Sequence, residues 1–188
     1  MAGGEYPGMP FNQQLTFPTE VTLRSTKDGI RMFREPIEEI ENIHADEFSL
    51  SNKLVSPNEN PIEGFEAALL DIQLEVEPRG ASDFGVMTNE LKIRYYVDEG
   101  ILAAGRHNRQ TNHAPLKMKN GRIKLRILID RSSIEVFGND GRVSISSNYD
   151  GTRTAESGDA NIRFFTNGGQ SLITSLKIYE LASIWPQD

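Results

Sequence analysis

Apolar and polar residues alternate most regularly along residues 121–147. In the segment Ile123–Ile129, isoleucine and leucine at odd positions alternate mostly with arginine and lysine, which is the period-two pattern of a half-buried β-strand. Residues 134–137 and 142–147 continue the alternation, and Asn139-Asp140 between them suits a tight turn with positive φ at both central residues. The pattern therefore predicts three consecutive antiparallel strands.

The pattern also predicts a pairing register for the last two of these strands. A two-residue loop at Asn139-Asp140 would place Val136 opposite Val143 and Ile134 opposite Ile145 on a core-facing side. A shift of one residue would move these apolar side chains into water, so the pattern disfavours it. The other side would carry three pairs: Phe137 with Arg142, Glu135 with Ser144, and Ser133 with Ser146. We expect any function of this hairpin to lie on that polar face.

The rest of the chain reads as further short strands separated by turns. A hairpin is predicted around Lys27-Asp28-Gly29, one or two helical turns over residues 36–43, and a surface connection over 44–64. Further strands are expected at 65–76, 83–87, 91–97, 101–104, 162–165 and 172–181, with long polar loops at 105–120 and 149–159. About twelve strands at this spacing predict an all-β fold, a two-sheet antiparallel β-sandwich. We expect residues 1–46 to form an N-terminal hairpin and helical linker, and residues 47–188 to form the sandwich.

Composition narrows the range of partners. A chain of 188 residues is long enough to bury about 70% of its unfolded surface, so it needs no disulfide or metal to fold. Its net charge of −7 argues against nucleic acids and anionic membranes as partners. No segment approaches the ~20 apolar residues of a membrane span, no signal-peptide pattern opens the chain, and no cysteine is present. The sequence contains no motif that calls for a cofactor.

Four residues are candidates for carbohydrate binding. Glu135 could accept hydrogen bonds from sugar hydroxyls, and Phe137 beside it offers an apolar platform. Arg131 lies in the preceding turn, and Tyr149 is an aromatic residue able to stack on a sugar ring. Structural roles are the alternatives to sugar binding. Arg131 could form an ion pair with a neighbouring acidic residue. Glu135 could make a cross-strand contact, either on a hydrated sheet face or on a face that lies against a neighbouring domain.

The sequence supports metal ligands less well than it supports the carbohydrate-binding candidates. His107 and His113 lie six residues apart in a polar loop with neither a third histidine nor a carboxylate nearby, so we interpret them as loop residues. The acidic residues of the later loop fit no calcium-loop spacing; these are Asp150, Glu156 and Asp159. We predict no metal site.

Three separated segments resemble one family. The segment DRSSIEVFGNDG (130–141) is similar to a signature in the C-terminal β-sandwich of family-32 glycoside hydrolases, the levanases, inulinases and invertases. The segments PFNQQLTFPTEVTL (10–23) and EPIEEIENI (35–43) resemble the end of their catalytic propeller and the following linker. The segment LKIYELASIW (176–185) resembles the closing strand of the sandwich. The resemblance implies a sandwich of the lectin-like jelly-roll type. Thr19 departs from the arginine that the family commonly carries after Phe-Pro.

The resemblance implies a chain without catalytic residues. The family's catalytic carboxylates belong to a five-bladed propeller that precedes this region, and its Trp-Met-Asn-Asp-Pro, Arg-Asp-Pro and Glu-Cys motifs do not occur here. A retaining glycosidase needs two carboxyl groups about 5 Å apart, and neither can be assigned to a residue of this chain.

Two roles follow from the resemblance as expectations. The first is structural support of the chain's own catalytic propeller domain, and the second is binding of a fructan polysaccharide, levan or inulin. The parent enzyme would be secreted, extracellular or periplasmic, as fructan hydrolases of the family usually are.

Overall fold

The computed structural model describes residues 15–62, 67, 69–88, 91–106, 111–130, 133–148 and 161–183. This part contains one short 3₁₀ helix, Glu38–Ile43, and thirteen strands. The strands are β1 Thr19–Thr26, β2 Gly29–Pro36, β3 His44–Val55, β4 Leu70–Arg79, β5 Asp83–Met87, β6 Leu91–Tyr96, β7 Ile101–Arg106, β8 Asn112–Pro115, β9 Ile123–Ile129, β10 Ser133–Gly138, β11 Val143–Asn148, β12 Arg163–Asn167 and β13 Gln170–Leu181. Neighbouring strands within each sheet run antiparallel, as the predicted fold class requires.

A hairpin and a short helix precede the sandwich, as predicted. Strands β1 and β2 pair along their whole length, from Thr19 opposite Pro36 to Thr26 opposite Gly29. Gly29 adopts a φ of 94°, which glycine tolerates and most residues do not. The 3₁₀ helix begins after Pro36 and Ile37 and buries Ile40 while its three glutamates face solvent.

The larger sheet has six strands in the order β11-β10-β9-β4-β13-β3. Its edge strand β3 runs through most of the segment that the sequence predicted to be a surface connection, and that prediction was wrong. Phe48 and Leu50 alternate with polar residues and pack against the core, and β3 pairs with β13 from His44 to Val55. An edge strand with one side in water needs few apolar residues, so its pattern is faint. The predicted domain boundary at 46/47 falls inside this strand.

The smaller sheet has five strands in the order β12-β5-β6-β7-β8. Strand β8 was not predicted, because its four residues, NHAP, carry only one partly buried apolar side chain. It pairs with β7 from Ala104 opposite Asn112 to Ile101 opposite Pro115. Part of the start of the predicted strand 65–76 lies outside the described residues, and within them β4 begins at Leu70.

The main core fills the space between the two sheets. Alternate residues of β4 and β9 point into it and are almost completely buried: Ile72, Leu74, Val76, Ile123, Leu125 and Ile127. The smaller sheet contributes Phe84, Ile93 and Tyr95, whose rings and side chains cover them. The Tyr95 hydroxyl is also buried, and it donates a hydrogen bond of 2.9 Å to the Leu116 carbonyl, which satisfies this polar group.

The β10–β11 register differs from the prediction by two residues. Val136 pairs with Ile145 and Gly138 with Val143, so the loop has four residues rather than two. Asn139 causes the shift: its side-chain oxygen accepts a 3.1 Å hydrogen bond from Lys124 N, which ties it to β9 instead of β11. Positive φ at Asn139 and at Asp140 is confirmed, at 48° and 58°. A shift of two preserves the faces, so Glu135 and Phe137 still share the face away from the main core.

Candidate functional site

The candidate site is the outer face of the six-stranded sheet, where the linker lies against it. A second hydrophobic cluster forms here, which we call the linker cluster; its buried members are Ile40, Leu128, Phe137 and Leu181, and its partly buried members are Phe17, Ile37, Ile43 and Leu69. The residues before β1 and the 3₁₀ helix supply one half, and strands β9, β10 and β13 supply the other. The linker therefore covers the β10 part of the polar face predicted from the sequence, Glu135 and Phe137, while Ser144 and Ser146 of β11 stay exposed.

Glu135 joins the sheet to the N-terminal segment at the edge of this cluster. Its side chain is only 1% exposed, and one carboxylate oxygen accepts a 2.6 Å hydrogen bond from the backbone N–H of Phe17. The Ser146 hydroxyl donates to the other oxygen at 3.4 Å, and the Arg34 guanidinium lies 3.7 Å from it. Burial raises the pKa of Glu135 above its usual range, and the three neighbours oppose this rise only in part.

A second buried carboxylate, Asp71, holds the end of the linker. It has no exposed surface and accepts hydrogen bonds from Arg126 at 2.7–3.2 Å and from Nε2 of His44 at 3.0 Å. The His44 ring stacks on Tyr179 with their centroids 3.9 Å apart. Because His44 is the first residue of β3, this pairing fixes where the linker enters the sandwich.

The β1–β2 hairpin leaves an apolar face open to solvent. Leu23 and Met32 are opposite each other and are 75% and 58% exposed, while Val21 and Ile30 on the same face are 56% and 67% exposed. In the described part of the chain, neither β1 nor β2 pairs with a third strand. The hairpin contacts the sandwich through Arg34, whose backbone N–H donates a 3.0 Å hydrogen bond to the Gly141 carbonyl, and through Phe33, whose ring centroid lies 5.9 Å from the Arg142 guanidinium.

An open polar trough of about 590 Å³ lies at the other end of the same sheet face. Lys124 pairs with Asp140 at 2.7 Å, and Arg122 lies 3.6 Å and 3.7 Å from the carboxylates of Glu75 and Glu77. The charges in this trough are mutually paired, but the longer contacts of Arg122 leave its donors partly available.

The structure places the predicted site residues differently from expectation. Glu135 and Phe137 are 1% and 2% exposed beneath the linker, so in this conformation no ligand reaches them, and sugar binding by them stays a prediction. Arg131 and Tyr149 lie outside the described residues, as do His107 and the acidic residues of the 149–159 loop. His113 is exposed. Among the described residues, no three His, Cys, Asp or Glu side chains group as a metal site would need, and no helix is long and apolar enough to cross a membrane.

Sequence reasoning missed several residues that build the site: Phe17, Arg34, His44, Asp71 and Arg126. One signal was available for Asp71, a carboxylate inside the apolar run ALLDIQL. A charged residue inside a central strand indicates a buried partner. Nothing in the local pattern identified Arg34 or Phe17, because each is defined by a contact with a residue more than 100 positions away.

Comparison with known proteins agrees with this architecture. Residues 37–180 match the model of the family described as glycosyl hydrolases family 32 C terminal. A levanase of Bacillus sp. (strain L7) is 32% identical over 97% of this chain, and a levanase of Bacillus subtilis (strain 168) is 30% identical over 96%. The chain spans only 22% and 29% of these two relatives, respectively.

A solved structure has the same fold. The exo-inulinase of Aspergillus awamori superimposes with a TM-score of 0.82 at 22% identity, over 98% of this chain and 39% of that protein. The matching fold includes two antiparallel sheets packed as a sandwich, and the family match rests on residues of both sheets. The chain belongs to the C-terminal β-sandwich domains of family 32 glycosyl hydrolases.

Proposed function

We propose that this chain is the non-catalytic C-terminal domain of a levanase-like or inulinase-like fructosidase, and that it supports the catalytic domain structurally. The observation that carries the proposal is the β1–β2 hairpin, which gathers four of the exposed large apolar residues on one face: Val21, Leu23, Ile30 and Met32. A contiguous exposed apolar patch on a folded domain marks an interaction surface. The occupant we assign to it is the catalytic propeller domain of the same enzyme.

The attachment of the hairpin supports this role. An isolated two-stranded hairpin is marginally stable in water, so a hairpin that presents a docking face needs anchors. Glu135 and the linker cluster provide them on one side, and the Asp71–His44 pair fixes the far end of the linker. The catalytic domain would thereby be held in a defined orientation on the sandwich.

The experiment is an association assay between this chain and the separately produced catalytic domain of a levanase. Analytical ultracentrifugation should detect a complex with the wild-type chain and none with the double variant Leu23→Ser/Met32→Ser. A matched control, Glu20→Gln/Lys27→Gln, changes two exposed polar residues of the same hairpin and should preserve the complex. Equal binding by the control and the Leu23→Ser/Met32→Ser variant would contradict the proposal.

The chain alone should be inactive. The proposal assigns the catalytic carboxylates to the other domain, so fructose release from sucrose, levan or inulin should stay at the level of a buffer blank. Release above that level by the purified chain would show that it is an enzyme in its own right.

Fructan binding is the second candidate function, and the observation that favours it is the polar trough. Arg122, Glu75 and Glu77 there are planar charged groups able to hydrogen-bond neighbouring sugar hydroxyls. Calorimetric titration with levan, inulin and fructose, with a glucan as control, tests it. Saturable binding to a fructan that is lost in Arg122→Gln supports a binding module, and the absence of heat from the folded chain excludes it. For either role, we place the parent enzyme outside the cytoplasm.

A further inference from the structure

The outer face of the five-stranded sheet carries an excess of positive charge in a chain whose net charge is −7. Three strands contribute to it in register. Arg163, Met87 and Lys92 form one cross-strand row, and Phe165, Gly85 and Arg94 form the next. We call these two rows the cationic face. It lies on the opposite side of the sandwich from the linker cluster.

Two of the three cations of this face have no carboxylate partner among the described residues. Arg94 lies 3.2 Å from Asp83, but Lys92 and Arg163 have no described carboxylate within 4 Å. The outer face of the six-stranded sheet differs, because its cations are paired: Arg122 with Glu75 and Glu77, Arg126 with Asp71, Lys124 with Asp140, and Lys177 with Glu47. The excess on the cationic face is therefore a local feature and not a general property of the surface.

The cations are held in place by aromatic rings. The Lys92 ammonium lies 4.6 Å from the centroid of the Phe165 ring, and the Arg94 guanidinium lies 5.6 Å from it and 5.3 Å from the Tyr96 ring. Such contacts restrict long side chains to defined positions, so less conformational entropy is lost when a ligand binds. The cationic face is preorganised.

The arrangement is electrostatically costly as it stands. Burial, and secondarily the charge of Arg94, lowers the pKa of Lys92 below its usual range. Nε of Arg94 is buried without a hydrogen bond among the described residues, since its contact with Asp83 is an ion pair that lacks hydrogen-bond alignment. An anion beside Lys92 would relieve the first of these costs, because an opposite charge favours the charged ammonium.

We propose that the cationic face binds an acidic polysaccharide, a polymer of sugars that carry carboxylate groups. Lys92 and Arg163 lie on strands separated by one intervening strand, about 10 Å apart. Two separate charges on an open sheet face suit the repeated charges of an extended chain better than one small anion. A polar row next to them holds Asn167, Asp83 and Tyr96, whose amide, carboxylate and hydroxyl groups can hydrogen-bond sugar hydroxyls. The inference does not depend on the proposed docking of the hairpin, which lies on the other side of the sandwich.

The test uses the full 188-residue chain and polygalacturonate as the probe. Calorimetric or fluorescence titration should show saturable binding that weakens as salt is raised. The variant Lys92→Gln/Arg163→Gln should raise Kd at least about tenfold, because two charge-assisted contacts are lost. The control Lys53→Gln/Lys177→Gln removes the same charge from the six-stranded sheet and should change Kd less than about threefold.

Four outcomes would overturn the proposal. They are the absence of binding, an equal loss in the control variant, equal binding of neutral dextran, and binding of inorganic phosphate or polyglutamate in preference to polygalacturonate. Thermal unfolding of both variants checks that each is folded, and Arg163→Gln alone, at an exposed position, serves if the double variant is not.

Discussion

Two hairpins of this domain touch each other and differ in what covers them. In the β10–β11 hairpin, strand β10 has one face in the main core and the other beneath the linker, so Ile134, Glu135, Val136 and Phe137 are all almost completely buried. The β1–β2 hairpin, longer by two residues in each strand, exposes apolar side chains such as Leu23. The rest of the domain covers strand β10 on both faces, whereas the β1–β2 hairpin presents an apolar surface that another partner could cover.

The difference shows what a period-two pattern conveys. Alternation identifies a strand and the face that is apolar, but it does not say whether the polar face meets water or another segment. Glu135 alternates with apolar residues as a solvent-facing residue would, yet it is buried because the N-terminal segment supplies Phe17 and Arg34 as partners. In β1, Val21 and Leu23 also alternate with polar residues, and there the apolar face is the open one.

The largest expected effect comes from truncating one apolar side chain in each hairpin. Ile134→Ala, at a position with no exposure, should lower the free energy of unfolding by about 2–5 kcal/mol because it leaves a cavity in the main core. Leu23→Ala should change it by less than about 0.5 kcal/mol, since the side chain is already in water. Urea unfolding monitored by fluorescence measures both. Similar losses would show that the β1–β2 face is packed in solution.

The next effect concerns the contact between the hairpins. Gly141→Ala should cost about 2–4 kcal/mol, because φ is 75° and a Cβ would lie 2.2 Å from the Arg34 carbonyl oxygen. Gly121 has the same φ, but a Cβ there would meet nothing within 4 Å, so Gly121→Ala should cost only about 1 kcal/mol. Thermal unfolding compares the two variants. Equal losses would mean that the close approach of Gly141 to Arg34 contributes nothing.

A smaller effect tests the anchor. Glu135→Ala leaves the Phe17 N–H without its acceptor and should cost about 1–3 kcal/mol, whereas Glu135→Gln keeps an acceptor and should cost less at neutral pH. In the folded protein the Glu135 pKa is raised, so its stabilising contribution is full below the unfolded pKa and is lost as pH rises through the folded value. Glu135→Gln should therefore flatten the pH dependence of stability in that range.

Hydrogen exchange of residues 15–36 locates this effect. Faster exchange there in Glu135→Ala, with strands β4 and β9 unchanged, is expected if Glu135 anchors the N-terminal segment. Uniform acceleration over the whole domain would instead assign Glu135 a role in the sandwich itself.

The central strands and the fold class could be predicted from the sequence, because apolar and polar residues alternate regularly along the central strands. Strands β3 and β8 were not predicted, because each has few apolar residues and therefore a weak sequence pattern. Each is part of its sheet because it pairs with a neighbouring strand. The register of β10–β11 depended on Asn139 bonding Lys124 of another strand, which turn preferences do not describe. The site was the least predictable part, because Glu135 acquires its environment from residues over 100 positions away.

The smallest expected effect compares the turns of the two hairpins. The hydrogen bond from Lys124, together with the charges of Lys124 and Lys119, lowers the pKa of Asp140. This carboxylate therefore adds stability above its unfolded pKa that is lost as pH falls through the lower folded value. Asp140→Asn should cost less than about 1 kcal/mol at pH 7 and low salt, because the group is partly exposed and its pairs are screened.

Asp28→Asn, in the turn of β1–β2, should cost nothing measurable, since Asp28 is exposed and no ion pair to a described residue holds its side chain. Chemical unfolding at low and at ~1 M salt distinguishes them, because only the Asp140→Asn difference should shrink with salt. A salt-insensitive loss at Asp140 would assign its effect to the turn conformation, with φ of 58°, instead of to its charge.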